Sequence, residues 1–85
     1  MTNIKVDSIR KEDALRIQEL YPFSITIYER KELGVVDLYI GDEDRLGLQY
    51  DTINKIAKFY VINLDGSIGY TVSVRLEHFA QIEIK

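Results

Sequence analysis

The chain contains one proline, Pro22, and its hydrophobic pattern changes there from a helical period to a twofold one. Upstream, SIRKEDALRIQELY sets Ala14, Ile17 and Tyr21 at helical spacing with Leu15 and Leu20 beside them, and the acids Glu12 and Asp13 suit a first turn. Ser8, or Asp7 before it, is placed to cap this helix. Pro22 ends it, because the residue before a proline is pushed out of helical geometry. NIKV, ahead of the helix, reads as a short edge strand or a tail.

Downstream the alternation predicts strands. FSITIYER puts Phe23, Ile25 and Ile27 on one face and Ser24, Thr26 and Tyr28 on the other. KELG is a turn, and VVDLYI follows with Val36, Leu38 and Ile40 opposite Val35, Asp37 and Tyr39. GDEDR is a second turn, leading into LGLQY. The segment DTINKIAKFYVINL fits either a helix or a hairpin turn built on Asp51 and Asn54, and the aromatic and β-branched run FYVI favours the hairpin. In NLDGSIGYTVSVRLE a two-residue turn at Asp65-Gly66 would set Phe59 and Val61 beside the even-numbered apolar face, and a three-residue loop would pair Tyr60 and Ile62 with Tyr70 and Ile68. HFAQIEIK alternates again, with Ala80, Ile82 and Ile84 inward. The expected fold is α+β: one N-terminal helix followed by a five- or six-stranded, mostly antiparallel meander sheet, with curling into a half-barrel as one way to close it.

With 85 residues the chain is expected to form a single domain over residues 1–85. At this size folding buries roughly 60% of the unfolded chain's surface, so a shallow surface site is expected rather than a deep pocket. Cysteine is absent, which excludes disulfides, thiolate catalysis and cysteine-ligated metals. No apolar run approaches a signal sequence or the ~18 residues of a membrane span, and the expected location is the cytoplasm.

Charge is unevenly placed. Residues 1–36 balance at six acids and six bases, and residues 37–51 carry five acids against Arg45, a local −4. A protein that tracks phosphates would show a basic stripe instead, so direct nucleic-acid binding is not expected. The same acids do not make an evident metal site: Asp42, Glu43 and Asp44 are consecutive, diverge on extended backbone, and lack the alternating ligand spacing of a calcium loop. The single histidine, His78, has no nucleophile-elbow serine near it in sequence, and the five glycines match neither phosphate-binding pattern. No catalytic residue, cofactor or metal is implied, and an enzyme is the least favoured reading.

A lone helix covers only part of one sheet face. The other face would carry some of Tyr28, Val35, Tyr39, Phe59 and Val61, too apolar to leave wholly in water. Curvature, a second copy of the chain in a homodimer, or a protein partner would have to cover it. The expected function is therefore a small non-enzymatic binding protein, an inhibitor or adaptor of another protein, with Tyr28, Tyr39 and Phe59 as anchors and Asp42, Glu43 and Asp44 steering association. Size and acidity also suit the small inhibitors made by phages and by bacterial toxin–immunity pairs, an analogy of class. KEDALRIQEL ahead of antiparallel strands loosely resembles the start of PepSY-type domains, over that helix alone. The competing expectation is a small-molecule or nucleotide binder at a subunit interface, with Arg30, Arg45 or Arg75 meeting the phosphates.

Overall fold

A computed structural model describes residues 3–41 and 44–84. Strand β1 (Ile4–Ile9) precedes helix α1 (Lys11–Gln18), and then come β2 (Ile25–Arg30), β3 (Val35–Ile40), β4 (Leu46–Asp51), β5 (Ile56–Ile62) and β6 (Ile68–Arg75). A single 3-10 turn (Leu76–His78) leads to β7 (Gln81–Ile84). The α+β class holds, but the strands form two antiparallel sheets in place of one meander. The first has the order β2-β3-β1-β7 and the second the order β4-β5-β6, and neither closes into a barrel. Among the described residues no helix is long and apolar enough to cross a membrane.

The expected helix loses its first turn to β1. Ile4, Val6 and Ile9 all enter the core, so the chain stays extended through Ser8, and that residue takes φ 55° in a bulge rather than capping the helix. Position 10 becomes the N-cap, and no side chain bonds there. The last turn tightens through i→i+3 bonds from Leu20 to Ile17 and from Tyr21 to Gln18, leaving Pro22 and Phe23 in the connection, so β2 begins only at Ile25.

In the second sheet Asp51 accepts from the Asn54 amide at 3.0 Å and builds the tight β4-β5 turn that the hairpin reading requires. The β5-β6 loop combines both registers weighed above. Ile62 pairs with Ile68 next to the loop, but a bulge at Gly69 and Tyr70 shifts the rest, so Phe59 faces Val72 and Tyr60 faces Thr71. HFAQIEIK is not one strand: His78 ends the 3-10 turn, Phe79 and Ile82 pack against the core, and Ala80 and Ile84 are exposed.

One core joins both sheets and the helix. It includes Val6, Leu38 and Ile40 from the first sheet, Ala57, Phe59 and Val74 from the second, and Ala14 and Ile17 from α1. The helix also bonds to one edge strand of each sheet, where backbone groups are left without a neighbouring strand. Gln18 donates to the Ile25 carbonyl of β2 at 3.2 Å and Arg16 donates to the Ser73 carbonyl of β6 at 3.3 Å.

Candidate functional site

The register of the first sheet decides which side chains face away from the core. Ile27 pairs with Leu38, Leu38 with Val6, and Val6 with Ile82, so these line the inner face. Alternation then sends Tyr28, Asp37, Tyr39, Lys5 and Glu83 outward. Thr26 and Lys5 flank Tyr39 on its two neighbouring strands, and Glu83 is the next residue across from Lys5.

Two of the predicted anchors meet on this face. Tyr28 and Tyr39 form an edge-to-face pair with ring centroids 5.1 Å apart, Tyr28 57% and Tyr39 38% exposed. The Lys5 ammonium sits 5.5 Å from the Tyr39 ring centroid. Tyr39, by hydrogen bonding first and then by charge, raises the Lys5 pKa above the ordinary lysine value. Beside Tyr39 the end of the sheet opens into a cleft of about 290 Å³, reached by Gly41, Lys5 and Glu83.

An ionic network fixes the other end of the face. Arg30 Nη1 lies 3.5 Å from Asp7 Oδ1 and 3.7 Å from Asp37 Oδ2, and the Ser8 amide donates to Asp37 Oδ1 at 3.0 Å. Left-handed backbone at a residue other than glycine costs about 1–2 kcal/mol, and the Asp37 carboxylate gives Ser8 a charged acceptor that offsets it. Burial alone would push the Asp37 carboxyl up. The Ser8 amide, with Asp7, Arg30 and Lys5 behind it, reverses that and holds the pKa below the ordinary value.

The third anchor is not available. Phe59 is fully buried between Leu48 and Val72, because the chain builds a second sheet whose residues 57 and 59 turn toward the shared core. It fills the interior and presents no ring to a partner. Of the acidic turn, Asp44 is exposed, and Asp42 and Glu43 lie outside the described residues.

The three arginines considered for a phosphate are scattered. Arg30 is engaged by Asp7 and Asp37, Arg45 donates to the Ile62 carbonyl at one end of β5, and Arg75 pairs across from Ile56 at the other. His78 has an acid partner that sequence reasoning missed: Nδ1 lies 2.9 Å from Oδ2 of Asp13, which comes from the buried side of α1. Glu77, expected on the opposite face of a strand, comes within 3.8 Å of Nε2 because the segment is a 3-10 turn. With Arg10 N–H donating to the His78 carbonyl at 3.1 Å, this contact ties the 3-10 turn to the start of the helix. The signal was legible in principle, since Asp13 falls beside Ala14 and Ile17 on the helical face that packs inward.

No family model, curated protein or solved structure matches this chain.

Proposed function

We propose that this is a small recognition protein that works by surface contact, as an inhibitor or adaptor of another protein, using the outer face of the first sheet. The observation that carries this reading is the Tyr28 and Tyr39 pair: two large rings left in water, yet held in a fixed geometry by each other and by Lys5. Tyrosine buries a large rigid area with only two rotatable bonds, and rings already held in place lose little freedom on binding. The ionic network of Asp7, Arg30 and Asp37 stiffens the strands that carry them, so the face is ordered before a partner arrives.

The test is a capture experiment with the purified protein as bait in extract of its native host. The Tyr28→Ala and Tyr39→Ala double variant is expected to fold and to lose the captured protein. A bait changed at Lys31, in the turn before Gly34, is expected to keep it. Equal retention by all three baits would contradict the reading.

A further inference from the structure

The two sheets end in β2 and β7 on one side of the fold's strand order and in β4 and β6 on the other. A strand in such a position leaves backbone groups open to a further strand, and proteins guard it with charge, proline, a bulge, a covering side chain or shortness. Most of these edges are guarded. On β2 the Ile25 carbonyl accepts from Gln18, and Glu29 is paired with Lys11 at 2.7 Å. On β6 the Ser73 carbonyl accepts from Arg16, and the bulge at Gly69 and Tyr70 interrupts the strand. Strand β7 has four residues.

Strand β4 carries none of these devices. From Leu46 to Tyr50 it has no charge, no proline and no break in its pairing with β5. Among the described residues no other strand or helix runs along it. The Ile62 amide donates to the Arg45 carbonyl at 2.6 Å, and bonded pairs alternate with unbonded ones in an antiparallel ladder. Gly47 with Tyr60, Gln49 with Lys58 and Asp51 with Ile56 are therefore the bonded pairs. The amides and carbonyls of Leu46, Leu48 and Tyr50 point the other way, and among the described residues nothing bonds to them.

The side chains along this edge suit a copy of the same strand. With two β4 strands antiparallel and Leu48 at the twofold axis, Leu48 meets Leu48 of the second copy, and Leu46 meets Tyr50 of the second copy on either side. Each of these pairs sets outward backbone against outward backbone, so each can exchange both of its hydrogen bonds. Leu46, Leu48 and Tyr50 share the core-facing side of the sheet, where Leu48 is half-buried and Tyr50 is 47% exposed. The apolar core would continue across the axis. On the opposite side the same register sets Arg45 against Asp51 of the second copy. These charges are opposite in sign, and neither group has to release its bond, to Ile62 and to Asn54 respectively. Over residues 44–52 no like charges are set directly opposite each other.

We infer that β4 is the pairing edge of a homodimer, in which two copies join antiparallel through Leu46, Leu48 and Tyr50 and their three-stranded sheets become one sheet of six strands. The pairing uses none of the residues of the Tyr28 and Tyr39 face and does not depend on it.

The test is residue-resolved amide hydrogen exchange of the purified protein at about 20 μM and about 1 mM, with the mass in solution measured at both concentrations. The mass is expected to rise toward that of two chains. The amides of Leu46, Leu48 and Tyr50 should gain about tenfold or more in protection, and those of Gly47 and Gln49, already bonded to β5, should hold theirs. Tyr50→Pro removes an outward N–H and no bond to β5, and Leu48→Lys sets two lysines face to face at the axis. Each should weaken self-association by about tenfold or more, and Tyr50→Thr, which keeps the N–H, should weaken it less than the proline. Far-ultraviolet dichroism identifies a variant that has not folded, and the exchange of the parent protein then decides. The inference is overturned by the mass of a single chain at both concentrations, by protection gained elsewhere and not at these amides, or by unchanged association in folded variants. It is also overturned if these amides become protected only when a different protein is added, the signature of a foreign strand.

Discussion

The two sheets dress their outer faces in opposite ways. In the second sheet Tyr60 lies across Gly47 on the neighbouring strand, so closely that a Cβ at position 47 would run into the ring. Its other outward residues include the polar Gln49, Lys58, Thr71 and Ser73 beside the apolar Ile56 and Ile62. In the first sheet Tyr28 and Tyr39 contact each other instead, and much of both rings stays in water. A glycine opposite a tyrosine lets the ring fold down. Where aspartate and threonine stand opposite, as at Tyr28 and Tyr39, the rings remain upright. The difference explains why recognition is assigned to the first sheet.

The change with the largest expected effect tests whether the two sheets are separable at all. Phe59→Ala opens a cavity in the core they share and should cost about 3–5 kcal/mol. Unfolding in urea, followed by far-ultraviolet dichroism and tyrosine fluorescence together, should remain one coincident transition. Loss of the second sheet alone would break the comparison.

Asp37→Ala acts on the first sheet. Removing the acceptor of the Ser8 amide leaves strained backbone without its partner and should cost about 1–3 kcal/mol at neutral pH. The folded pKa of Asp37 lies below its ordinary value of 3.8, so its contribution is complete above about pH 4 and fades as pH falls through the folded value. Denaturant midpoints of the two proteins should therefore converge in acid, below about pH 4.

The smallest effect belongs to the second sheet. Gly47→Ala forces the Tyr60 ring off its neighbour at a cost of about 1–2 kcal/mol. Combining it with Tyr60→Ala should leave less than the sum of the two single losses, measured as a double-mutant cycle. Simple additivity would mean that the ring does not depend on the glycine.

How much of this was legible follows from sequence separation. The second sheet is made of consecutive strands, and Asp51 with Asn54, and Asp65 with Gly66, mark its turns, so its hairpins could be read directly. In the first sheet β1 pairs with β3 and β7 from the far parts of the chain, and no local pattern announces a partner so distant. Alternation placed Tyr28 and Tyr39 on one face correctly. The same alternation put Phe59 with them, because a period of two separates the faces of a strand without saying which looks inward once there are two sheets. Ser8 looked like a helix cap because serine favours that position, whereas burial of Ile9 kept the chain extended through it. Asp13 was passed over as an ordinary first-turn acid, and its partner His78 comes from 65 residues away.

The most direct measurement of the recognition face is amide hydrogen exchange of the protein with and without its captured partner. The outer face of the first sheet should gain protection in β2 and β3 around Tyr28 and Tyr39, with exchange in β5 and β6 around Lys58 and Ser73 unchanged. Protection concentrated on the second sheet, with β2 and β3 unaffected, would contradict the account.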